Sequence, residues 1–123
     1  MKRIIFLSVL FLAALSVTGC KTVTASAPLA PGYANPADQT MGQTLAAAHA
    51  FYQRIQKDSA AGKVSLSAQE KAALNGLGTA INVASALYLS YHNGQSTQAQ
   101  AQAAIDNVST QQTAVQALIP GVK

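Results

Sequence analysis

The same helix punctuation occurs three times along this chain, and it limits the fold more than any other feature. Asn35-Pro36 precedes an acidic first turn at Asp38, a sequence that caps a helix, presets its first φ angle and places a negative charge at the positive end of its dipole. Ser67-Ala68-Gln69-Glu70 has the S-x-x-E form of a capping box, in which each side chain satisfies the other residue's backbone N–H. A third start falls at Ser96 or Thr97. The matching stops are Gly62, Asn93-Gly94 and Pro120-Gly121. Helices are therefore predicted over about 36–61, 67–92 and 97–119.

Each span carries an apolar stripe at helical spacing. In the first, Met41, Leu45, Ala48, Tyr52 and Ile55 recur, widened by Thr44 and Phe51. The second has Leu74, Leu77, Ile81, Ala84, Tyr88 and Tyr91, with Val83 and Leu87 as a further edge. The third has Ala101, Ile105, Val108, Gln112, Val115 and Ile119. No stretch alternates with period two for long enough to form a strand. The expected fold class is all-α: an antiparallel three-helix bundle over 36–120. Residues 72–91 contain no charge and are long enough to span a bilayer, but Asn75, Asn82, Thr79, Ser85 and Ser90 interrupt them, which favours a buried central helix. Asn75, Asn82 and Gln112 are candidates for inward-facing amides that fix register.

The beginning of the chain has a different character. Lys2 and Arg3 precede a nearly unbroken apolar run from Ile4 to Val17, which fits a signal-peptide core. Val17-Thr18-Gly19-Cys20 follows, with the chain's one cysteine directly after two small residues. This stretch resembles the lipobox of bacterial lipoproteins, over residues 1–20 only and with Val17 where leucine is more usual. The resemblance implies cleavage between Gly19 and Cys20, removal of 1–19, and acylation (palmitate included) of Cys20. It also explains a lone cysteine with no disulfide partner. Lys21 at the next position points, by the same resemblance, to the periplasmic face of the outer membrane. Residues 20–35 read as a lipidated N-terminus and flexible linker, since Pro28, Pro31 and Gly32 break any helix.

The composition argues against most enzyme chemistry. The formal charge of +4 includes Lys2 and Arg3. The remaining basic residues are scattered, so the stripe that a nucleic-acid binder needs is missing. The two histidines, His49 and His92, fall on different helices and have no metal-ligand spacing. His49 reads as a boundary residue and His92 as a cation at a helix C-terminus. The acids Asp38, Asp58, Glu70 and Asp106 are dispersed, and Gly76-Leu77-Gly78 lies inside a helix without the P-loop lysine pattern. No catalytic residue, metal, cofactor or small-molecule substrate is expected.

The expectation is a non-enzymatic helical interaction or assembly module in the periplasm. Its partners would be the membrane, through acylated Cys20, and either an envelope protein or a second copy. Phe51, Tyr52, Tyr88 and Tyr91 form a candidate partner patch, with core packing as the plainer reading. Lys123 raises an alternative. Peptidoglycan-linked lipoproteins are also short, helical and lipid-anchored and end in a lysine, although this chain has three helices in place of one long coiled coil. A prophage- or plasmid-type exclusion lipoprotein, and a membrane-active protein acting through 72–91, are further alternatives.

Overall fold

The computed structural model describes residues 28–122, which form three helices and no strand: α1 (Pro36–Ala60), α2 (Ala68–His92) and α3 (Gln98–Leu118). Every predicted helix end agrees to within one residue. Residues 1–27 and Lys123 lie outside the described residues, and with them the signal segment, Gly19 and Cys20.

Local chemistry sets the ends. Asn35 Oδ1 accepts from the Asp38 N–H at 2.9 Å with Pro36 at the first helical position. Ser67 and Glu70 form a full capping box, and Thr97 with Gln100 forms a second. α1 and α2 both close in the same way. Gly62 (φ 71°) and Gly94 (φ 73°) take the left-handed conformation that L side chains avoid. The following N–H groups then reach back, Lys63 to the Asp58 carbonyl at 2.8 Å and Gln95 to the Ser90 carbonyl at 2.7 Å. This double reach-back is the Schellman arrangement, and it turns the chain sharply enough for short connections.

The stripes meet in one core. Met41, Ile55, Leu77, Ile81, Val108 and Val115 have almost no exposure. α2 packs against both neighbours and more extensively against α3. It is long and apolar enough to cross a membrane by length and composition, but here it sits against two partner helices. Five expected positions differ. Phe51, not Tyr52, takes the core place on α1, because a tyrosine hydroxyl needs a partner and Tyr52 finds one at the bundle edge, accepting from Gln56 Nε2 at 2.8 Å. Val83 is 53% exposed, so it does not extend the core edge. Asn75 and Asn82 are exposed and Gln112 is half-buried, so none is a fully buried amide.

Two glycines define how α1 and α2 approach. A Cβ at Gly42 would lie 2.7 Å from the Tyr88 hydroxyl and 2.7 Å from Tyr33 Cε1; one at Gly78 would lie 2.8 Å from the Tyr52 hydroxyl. Each helix thus offers a glycine to a tyrosine of the other. The two contacts are about 15 Å apart along the axis at 1.5 Å per residue, and the chain ascends α1 as it descends α2. The pair is antiparallel, as expected from the sequence.

Adding a methyl group at these sites separates packing from propensity. Alanine is about 1 kcal/mol better than glycine inside a helix. At Gly76 the methyl meets only the flexible Gln111 side chain, at 3.3 Å, so Gly76→Ala should raise stability by up to about 1 kcal/mol. At Gly42 two rings must move, and overpacking of about 1–3 kcal/mol outweighs the same gain. Gly42→Ala should lower stability; urea unfolding of both variants measures the contrast.

Candidate functional site

The antiparallel pairing brings the N-terminus of α1 beside the C-terminus of α2. Asp38 sits in the first turn of α1 and His92 in the last turn of α2. Each is favoured by its own helix dipole, a carboxylate at the positive end and an imidazolium at the negative end. The pairing places them face to face, with His92 Nδ1 2.8 Å from Asp38 Oδ2.

Asp38 is the one fully buried charged residue among those described. A buried carboxylate needs donors, and three groups supply them. The Ala34 N–H donates to Oδ2 at 2.7 Å, His92 approaches the same oxygen, and the Tyr88 hydroxyl lies near enough to stabilise the carboxylate charge. Its other oxygen, Oδ1, is buried with no hydrogen-bond partner. Burial pushes the Asp38 carboxyl up, but the hydrogen bonds from Ala34, His92 and Tyr88, together with the His92 charge, bring it below the usual aspartate value. Burial and then Asp38 push the Tyr88 phenol the other way, up to about 12.

Around this node the chain entering α1 is held as a strap. Asn35 Nδ2 donates to the Tyr91 hydroxyl at 3.0 Å. The Ala30 N–H donates to Gln39 Oε1 at 3.1 Å, and Tyr33 rests over Gly42. Residues 28–35, which the sequence reading assigns to the linker, therefore contact the bundle through hydrogen bonds as well as a ring. Tyr88 and His92 are one turn apart, with ring centroids 6.0 Å apart.

The four aromatic residues of the candidate patch are not brought together. Phe51 is in the core, Tyr52 lies over Gly78, and Tyr88 and Tyr91 lie at the Asp38 end. His49 is exposed. In the sequence Asp38 and His92 each read as a separate capping charge; the fold makes them a pair. A signal was present: in an antiparallel hairpin, the first turn of one helix and the last turn of the next share an end.

Chemically, His92 is an imidazole oriented by a buried carboxylate, with its side chain one-third exposed. That arrangement orients the ring, with Nδ1 turned to the carboxylate. No group of three or more His, Cys, Asp or Glu residues that could hold a metal ion occurs among the described residues. Two shallow hollows lie on the outer face of α1 around Gln53 and Lys57, lined by that helix alone. Comparisons of the chain with family profiles, characterised proteins and solved structures find no match.

The node should titrate at both extremes of pH. Asp38 is lowered on folding, so its stabilising contribution is complete above the ordinary value of 3.8 and disappears as pH falls below it. Asp38→Asn should flatten the acid limb of stability against pH. At neutral pH it should cost about 1–3 kcal/mol, the usual range for a disrupted buried hydrogen-bonded group. Tyr88 is raised, so its contribution is present below 10 and disappears as pH climbs towards about 12. Phenolate absorbance should show one of the four tyrosines titrating late, and Tyr88→Phe should remove that step.

Proposed function

We propose that the chain is a lipid-anchored envelope protein acting as a non-enzymatic helical interaction or assembly module. The observation that carries this reading is Gly19-Cys20 at the end of the apolar run Ile4–Val17. It supports an acyl anchor on the single cysteine and, with it, a helical domain on the periplasmic side. The domain is consistent with such a role: a small bundle whose main polar node serves to fasten the chain that leads to the anchor. Its partner would be an envelope protein or a second copy.

A second reading, attachment to the wall through Lys123, is favoured by one observation. α3 runs antiparallel to α2, since Gly76 near the start of α2 faces Gln111 near the end of α3. The chain therefore leaves α3 at the end of the bundle remote from the strap, where a covalent link would hold membrane and wall apart.

Intact mass after extraction from native envelopes tests both. A mass of residues 20–123 plus acyl chains, unchanged by muramidase, is expected for the interaction module. A muropeptide on Lys123, absent from a truncation ending at Gly121, would establish the wall link instead. Loss of membrane association with retained helical content is expected for Cys20→Ala; an unacylated native protein would overturn the anchor.

A further inference from the structure

The charged residues are distributed unequally along the bundle. Between residues 28 and 53, and again between 72 and 105, there is no Lys, Arg or Glu, and the sole Asp is Asp38, buried against His92. Arg54, Lys57, Asp58, Lys63, Glu70 and Lys71 all fall at the opposite end, around the α1–α2 connection. On α3 the first charge is Asp106, about 12 Å from the start of the helix at 1.5 Å per residue. The uncharged end is the one where the strap docks and where α1 begins, α2 ends and α3 begins.

That end also presents apolar surface. Leu29 on the strap is 41% exposed and Leu89 in the last turns of α2 is 55% exposed. Tyr33 on the strap and Tyr91 at the end of α2 are half-buried. Tyrosine, with an apolar body and a polar tip, suits a boundary between hydrocarbon and water.

Chain length fixes which surface this end can reach. Seven residues, 21–27, separate Cys20 from Pro28. Eight Cα–Cα steps span at most about 28 Å at 3.3–3.6 Å each. The strap's hydrogen bonds at Ala30 and Ala34 hold the chain at the bundle end beyond that point, so the domain has no longer leash while the strap is docked. A surface without Lys, Arg or Glu has little dehydration cost at a headgroup boundary, and its one basic side chain, His92, faces the Asp38 carboxylate, which leaves little attraction to anionic lipid.

We propose that this uncharged end is a membrane-contact surface, resting on the zwitterionic headgroups of the bilayer that holds Cys20, with Leu29 and Leu89 entering it and the charged end directed away. The inference rests on the anchor reading and adds an orientation to it. The bundle stands on the membrane with the α1–α2 connection and the end of α3 presented to the periplasm.

The test uses the acylated full-length mature protein reconstituted in phosphatidylethanolamine–phosphatidylcholine vesicles containing bromolipid. The Cys20 sulfur is in a thioether, so a fluorophore on Gln95→Cys or on Lys63→Cys marks one end at a time. Several-fold quenching of the Gln95 label with none at Lys63 is expected, and Leu29→Gln with Leu89→Gln, both at exposed positions, should reduce it with helical content unchanged. Equal quenching at both ends, or none, in a protein whose mass shows the acyl chains would overturn the orientation and leave the anchor intact. Disulfide cross-linking between copies through unlabelled Gln95→Cys, with no quenching of the label, would assign the surface to a second copy and overturn the proposal. A mass without acyl chains would overturn both readings.

Discussion

A carboxylate without access to water must be held by donors or lose its charge, and that requirement at Asp38 organises one end of this protein. The donors come from three places in the chain: the Ala34 backbone before α1, and Tyr88 and His92 a turn apart at the end of α2. Satisfying a single side chain therefore fixes the entry of the chain, the start of one helix and the finish of the next. The two helix dipoles act in the same sense as the ion pair, so the node agrees with the secondary structure around it.

Along the α1–α2 seam the constraint is steric. Glycine at 42 and 78 removes the atom that would stand where a tyrosine ring of the opposite helix sits. The ring then covers the backbone of the facing helix at each glycine. This suits a bundle whose buried residues include several alanines and in which Phe51 is the only buried aromatic among the described residues. The α2–α3 pair has no such tyrosines at its contact. It is built from small and β-branched residues such as Ala101, Ile105, Val108 and Val115.

Most of the architecture was legible because it is local. Caps and stops such as Ser67, Glu70, Gly62 and Gly94 act over four or five residues, and each appeared where its chemistry required. The apolar stripes on α2 and α3 were readable for the same reason. Less legible were choices between neighbours 100° apart on a helix. Phe51 and Tyr52 both fit a three-four pattern, and the hydroxyl, not the period, put the tyrosine at the edge. The Asp38–His92 pair was illegible as a pair because its members are 54 positions apart; each carried a complete local explanation as a capping charge. The contacts of residues 28–35 were hidden similarly, since prolines and a glycine exclude a helix without excluding hydrogen bonds to one.

The strap also determines how force enters the molecule. A pull on the chain from its N-terminal side meets Ala30 on Gln39, Tyr33 on Gly42 and Ala34 on Asp38 before it reaches any core residue. These contacts all fall on the first two turns of α1, ahead of the stripe from Leu45 to Ile55. Residues 28–35 are thus the first part of the domain to bear a load, and the Asp38 carboxylate is the deepest point at which they are fastened.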